Sequence, residues 1–208
     1  DLGRAIVESP YLDVNPLNYR FSDTRGFSVV LTRAGVPRLE RQFAAFVPFL
    51  RRVLQAEANA WYLNPLLVGA GASVERHCDL SLRSYTRPFN PPFPYRVDVL
   101  YVDVPADMQG GHLAWFGKNG VRLGSVQPSS NLLVTFDGRL AHEVEPVQES
   151  SGERVSLVLE QYRLPWYFRR RIPTYRIQSA VRFERFMEEA MGDDPLNAPA
   201  DDPPSPCT

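Results

Sequence analysis

Histidine and cysteine are scarce in this 208-residue chain: three of the first (His77, His112, His142) and two of the second (Cys78, Cys207). Two cysteines do not make a disulfide framework, and Cys207 lies in a stretch poor in apolar residues, so a reducing compartment is expected. Charge of one sign is missing too. Lys and Arg number 23 against 24 Asp and Glu, which leaves no long-range field to draw the chain to phosphate backbones or anionic lipid. Long apolar runs are absent: the strongest, 43–50, falls far short of the ~20 residues that cross a bilayer, and no leader pattern opens the sequence. No internal repeat is present. The expectation is a cytoplasmic protein without nucleic-acid or membrane partners, one domain over 1–191, with no sign of its oligomeric state.

What is present is a helical pattern, a series of short β-like runs, and a second helical pattern. Over 36–62 apolar residues recur at three-to-four spacing (Leu39, Phe43, Phe46, Val47, Leu50, Val53), which predicts an amphipathic helix. Pro37 suits its first turn, and Pro48 must kink or split it. The second pattern, 174–191, carries Ile177, Val181, Phe183 and Phe186 between charged positions, and Gly192 ends it. Between them, 73–82, 95–104, 112–116, 131–136, 140–147 and 155–162 read as strands divided by turn signals such as Gln109-Gly110-Gly111 and Asp137-Gly138. Strands bunched between helices predict a mainly β, α+β fold: a sandwich or barrel braced by an N-terminal helical segment and a C-terminal helix. The Pro- and Asp-rich stretch 192–208 reads as a disordered tail.

A histidine-based site must draw on the three histidines. Alternate strand residues share a face, so His77 and Asp79 project together and Cys78 points away. His142 lies on the 140–147 run beside Val144, with Glu143 and Glu145 opposite. Two strands can therefore bring two imidazoles and one carboxylate together. Two His and one carboxylate on one side of a metal leave other positions open, as in non-haem Fe(II) oxygenases; taken alone, His-x-Asp equally fits a structural histidine. Past His142, Arg154 and Ser156 share a strand face and offer a guanidinium fork and a hydroxyl to one carboxylate. Glu75 shares the parity of His77 and is read as a surface or supporting residue, and His112 as structural or supporting. Arg163, Arg169, Arg170, Arg171 and Arg176 are read as a solvated basic face, and Trp166, Tyr167 and Phe168 as packing for the C-terminal helix.

Four blocks in order carry a family likeness: Val74-Glu75-Arg76-His77-Cys78-Asp79; Leu100-Tyr101-Val102-Asp103 with Gly110-Gly111-His112-Leu113; Phe136 with Leu140-Ala141-His142-Glu143-Val144; and Arg154-Val155-Ser156-Leu157. Through them the stretch 66–162 resembles the 2-oxoglutarate- and Fe(II)-dependent dioxygenases, in their prolyl-hydroxylase-like branch. The resemblance implies a double-stranded β-helix (jelly roll), iron held by His77, Asp79 and His142, and 2-oxoglutarate held through its distal carboxylate by Arg154 with Tyr101 and Ser156. It departs at Leu67, where many members of that branch carry tyrosine. The implied activity couples oxidative decarboxylation of 2-oxoglutarate by dioxygen to hydroxylation of an unactivated C–H, and Asp79 argues against halogenation. The loop 83–96 follows the first two ligands and is the expected lid, with Arg83 and Arg87 as candidates to grip a substrate carboxylate. A chain this short leaves little room for a recognition domain. The expected substrate is thus an amino acid, another carboxylate-bearing metabolite or a short peptide. The alternatives are a peptidyl-prolyl hydroxylase acting on a protein and a non-catalytic jelly-roll binding module. A zinc hydrolase on the same three ligands gives no reason for Arg154 and Ser156.

Overall fold

Residues 1–14 and 21–180 are described by the computed structural model, and β structure dominates them. In chain order the elements are α1 (Leu2–Val7), β1 (Asp13–Val14), β2 (Phe21–Gly26), β3 (Ser28–Thr32), α2 (Val36–Gln42), α3 (Val47–Val53), β4 (Ala60–His77), α4 (Arg83–Thr86), β5 (Arg96–Asp103), β6 (Gln109–Gly110), β7 (Leu113–Phe116), β8 (Arg122–Val126), β9 (Leu132–Phe136), β10 (Ala141–Val144), β11 (Val147–Glu149), β12 (Arg154–Tyr162), α5 (Trp166–Arg169) and β13 (Tyr175–Gln178). Every strand pair among them is antiparallel.

The 18-residue β4 organises the sheet. On one edge its first half pairs with β12, from Ala60 opposite Tyr162 to Val68 opposite Arg154. Its last residues pair instead with β10, His77 opposite His142. On the other edge β3 covers Ala60 to Leu63 and β2 takes over from Leu66 to Val74. Gly71, at φ +80 and with open space where a Cβ would sit, lies where β12 gives way to β10; a left-handed backbone there favours glycine. The sheet path β8-β7-β10-β4-β12-β5-β9 thus curls around β4, with β6 and β11 as a separate ribbon. This is the expected jelly-roll architecture, mainly β with flanking helices, α1 to α3 against one face and α5 against the other.

The two faces of β12 explain its nearly unbroken burial. Val155, Leu157 and Leu159 pack with Leu63, Leu67, Phe46, Leu50 and Val53 into the core beneath α1, α2 and α3. The alternate residues, Arg154, Ser156, Val158 and Glu160, face the other way, where Val158 meets Val97, Val99, Tyr101, Leu113, Trp115 and Phe136. That second face is the barrel interior. On the helix side, fully buried Asp98 accepts hydrogen bonds from Arg96, from Thr135 Oγ1 at 2.7 Å and from Gln161 Nε2 at 2.7 Å. Gln161 also donates to Val53 O at the end of α3 and accepts from Trp61 Nε1.

Four expectations are corrected. The 36–62 helix splits at Pro48 as anticipated, with Pro37 and Pro48 each in a first turn, but it stops at Val53, and 60–62 opens β4. A nearly continuous apolar run is a strand buried on both faces, which period alone does not separate from a buried helix. The strand expected over 73–82 ends at His77. The helix expected from 174 begins instead as β13, whose Tyr175 to Gln178 pairs with Leu31 to Ser28 and covers the free edge of β3; its remainder over 181–191 and the 192–208 tail lie outside the described residues. Of the three aromatics on α5, Phe168 packs beside Leu82 and Tyr162, whereas Trp166 is 66% exposed. Among the described residues no helix is long and apolar enough to cross a membrane.

Candidate metal centre

The end of β4 builds the site. β10 sets His142 across from His77, and β7 sets Trp115 across from His142, so the three rings form one row on one face of the sheet. The two imidazole centroids lie 4.5 Å apart, and the Phe136 ring meets His142 edge-on at 5.0 Å. Asp79 arrives by another route than the expected shared strand parity. In a continued strand residues 77 and 79 would stand about 6.6 Å apart along the chain. The strand stops instead, and the following turn brings Asp79 Oδ1 to 3.5 Å from His77 Nε2 and 3.7 Å from His142 Nε2. The three donor atoms all lie within 4.8 Å of one another.

Each imidazole is oriented from behind. His77 Nδ1 donates to Glu75 O at 2.7 Å and His142 Nδ1 donates to Leu140 O at 3.1 Å, which turns both Nε2 atoms toward the carboxylate. Burial pushes the Asp79 carboxyl up, but the charge of His142, and then the hydrogen bond and charge of His77, outweigh it and hold the group below its ordinary value. For His142, burial pulls the imidazole down, against the Asp79 charge and with a smaller pull from His77. A carboxylate held in its ionised form beside an imidazole that burial shifts toward its neutral form suits the binding of a cation.

The second cluster centres on Arg154, which is 1% exposed. Its Nη1 donates to Gly111 O at 2.7 Å and its guanidinium stands 5.1 Å from the Tyr101 ring centroid. Burial lowers the guanidinium from its ordinary value, with the Tyr101 hydroxyl opposing, and arginine stays charged regardless. Among the described residues no carboxylate pairs with it. Arg154 Nε and Ser156 Oγ are both buried without a hydrogen-bond partner, and Ser156 sits directly across from Tyr101 on β5. Tyr101 shares one packed interior with Trp115 and with Phe136, the ring against His142. A buried cation with idle donors calls for an anion.

Of the other residues singled out in the sequence, Glu75, His112 and Leu67 stand apart from the three convergent donors. Glu75 is exposed and takes part through its backbone carbonyl alone. His112 Nδ1 lies 3.3 Å from Glu145, which also pairs with Arg122, and is not among the three convergent donors. Leu67 packs into the helix-side core, so the residue at this position takes no part in the interior. Arg83 opens α4 and Arg87 follows it; neither is without partners. Three participants were missed. Gly111 supplies the carbonyl for Arg154, and the Gly110-Gly111 pair before His112 was its signal. Trp115 places a buried Nε1 without a partner on the His142 face. Glu160 is a buried carboxyl in an otherwise apolar strand, a signal in itself. Burial and the nearby Asp79 charge push its carboxyl well above the usual carboxylate range, against hydrogen bonds from Ser81 and Tyr162.

No family model matches the sequence, and no curated protein matches it. Solved structures match by shape. The chain is similar to a 2OG-Fe(II) oxygenase family oxidoreductase from Burkholderia pseudomallei, with TM-score 0.52 and 15% identity over 76% of each chain. It is similar to IDO from Bacillus thuringiensis, with TM-score 0.50 and 10% identity over 77% of this chain and 83% of that one. A Pseudomonas putida prolyl-4-hydroxylase aligns at TM-score 0.45 and 23% identity over 72% of this chain and 76% of that one. The first two establish a shared fold.

Proposed function

We propose that the chain is a non-haem iron oxygenase that uses 2-oxoglutarate and dioxygen to hydroxylate an unactivated C–H. The observation that carries this reading is Arg154, a buried cation with an idle N–H, in the same barrel interior as a two-histidine, one-carboxylate donor set. That donor set suits Fe(II) with open positions, so His77, Asp79 and His142 would hold the iron. Charge decides what lies between. Fe(II) less the Asp79 carboxylate leaves one positive charge and Arg154 adds another, so a dicarboxylate dianion balances the interior where a monoanion or neutral ligand does not.

When bound, iron with 2-oxoglutarate and dioxygen supplies the oxidising power for hydroxylation and leaves succinate and carbon dioxide. The chain's own residues do the rest. The backbone carbonyls of Glu75 and Leu140 keep both Nε2 atoms free to ligate. Arg154 and Ser156 would hold one carboxylate of the cosubstrate, with Tyr101 beside them. The apolar lining of Val97, Val99, Leu113 and Val158 excludes water, which strengthens each charge interaction. For the substrate, Arg83 and Arg87 are the groups to orient a carboxylate of an amino acid, a small acid or a short peptide, because α4 begins four residues after Asp79.

Anaerobic addition of Fe(II) and then 2-oxoglutarate tests the reading: a visible charge-transfer band is expected, absent in His77→Ala and His142→Ala. No band in the wild type removes the oxygenase and leaves a jelly-roll binding module. Substrate class is read by incubating the aerobic enzyme with free amino acids, small acids and proline-containing peptides. A product heavier by one oxygen with matching succinate release is sought, and Arg83→Ala and Arg87→Ala are run alongside. Turnover restricted to intact proteins points to a peptidyl hydroxylase.

A further inference from the structure

Glu160 is 3% exposed and stands on β12 between Tyr62 of β4 and Val97 of β5. A carboxyl in such surroundings is costly unless its oxygens are engaged. Both are. Ser81 Oγ donates to Oε1 at 2.6 Å, and the Tyr162 hydroxyl donates to Oε2. Ser81 lies two residues beyond Asp79, in the turn between the end of β4 and the start of α4. That turn is off the sheet. It is closed by Arg83 N donating to Leu80 O at 2.9 Å and is fastened to the molecule by Ser81 and by Leu82, which is buried against Tyr62 and Tyr162.

We propose that Glu160 is a positioning residue for the metal centre: through Ser81 it fixes the turn that presents Asp79 to His77 and His142. The inference rests on reading those three residues as metal ligands. The histidines have their own supports in the Glu75 and Leu140 carbonyls, so the Glu160 anchor acts on one ligand of the three. Either protonation state serves, because Oε1 accepts the Ser81 hydroxyl as a carboxylate oxygen or as the carbonyl oxygen of the acid. Glutamine keeps that acceptor and leucine removes it.

Co(II) is the probe, since its visible absorption reports both affinity and ligand set. In the full chain, Ser81→Ala and Glu160→Leu are expected to bind Co(II) about tenfold to a hundredfold more weakly, with a changed spectrum. The double variant should be no weaker than the weaker single one, because both remove one bond. Glu160→Gln should match the wild type in affinity and spectrum. Ser81→Ala leaves β12 untouched and so decides the matter even where Glu160→Leu fails to fold. Wild-type affinity and spectrum in Ser81→Ala overturn the proposal, as does Glu160→Gln binding as poorly as Glu160→Leu. A different result, no Co(II) absorption in the wild type or undiminished binding in His77→Ala, overturns the metal reading itself.

Discussion

Replacing Arg154 with Ala removes the buried cation and leaves the three metal donors in place. A charge-assisted contact of this kind contributes about 1.5–3 kcal/mol, so calorimetric titration should show 2-oxoglutarate binding roughly tenfold to a hundredfold weaker, with metal affinity unchanged. Equal loss of metal would make Arg154 part of the framework. Gly111→Ala should weaken 2-oxoglutarate in the same assay: its φ is +67, and an added Cβ meets Val147 Cγ2 at 3.0 Å and Arg154 Nη1 at 3.4 Å. Glu160 contributes a pH dependence. Its carboxyl is pushed well above its ordinary 4.5 by burial first and the Asp79 charge second, so the folded chain holds a proton that the unfolded chain releases. The stability from this group is full below 4.5 and is lost as pH rises through the folded value. The Tm of the metal-free protein should therefore fall with rising pH less steeply in Glu160→Gln than in wild type; parallel profiles would show that the group is not the source. At this scale the sequence singled out His77, His142, Arg154 and Ser156, because histidine is rare and β periodicity puts Arg154 and Ser156 on one face, and it reached Asp79 through a strand parity that a turn replaces. It hid the contributions of Gly111, Trp115 and Ser81, which consist of a carbonyl, an idle N–H and a hydroxyl meeting partners far along the chain.

β12 and β5 were legible as elements because turn signals bracket runs rich in β-branched residues, whereas the first half of β4 was not. Trp61, Tyr62 and Leu63 are buried whichever way they point, so no alternation marks the strand. β13 was hidden for the opposite reason: Tyr175-Arg176-Ile177-Gln178 suits a helix as well as a strand, and the open edge of β3 decides. The Asp98–Gln161 network shows what holds these strands under the helices. Gln161→Leu leaves Asp98, Val53 O and Trp61 Nε1 each short of a partner, and should lower stability by about 1–3 kcal/mol. A denaturant titration measures it, and a Co(II) spectrum unchanged from wild type would confirm that the damage stays on the helix side.

For the whole molecule, a metal that binds the folded state alone raises stability by mass action, about 2.7 kcal/mol at a hundredfold excess over its Kd. Thermal melts should rise on adding Co(II) or, without oxygen, Fe(II), and return on adding a chelator; His142→Ala should melt at one temperature in both conditions. The placement of β4 also has a consequence for how the protein is made. Its partners come from 21–32 on one side and from 141–144 and 154–162 on the other. A ribosome delivers β4 with one edge clothed and holds the other bare until the residues through Tyr162 have left the exit tunnel, which makes the central strand the hazard of translation. Bare strand edges pair with those of neighbouring copies, so a chain arrested or truncated before Arg154 should aggregate on the polysome, and chaperone demand during synthesis should fall once β12 emerges.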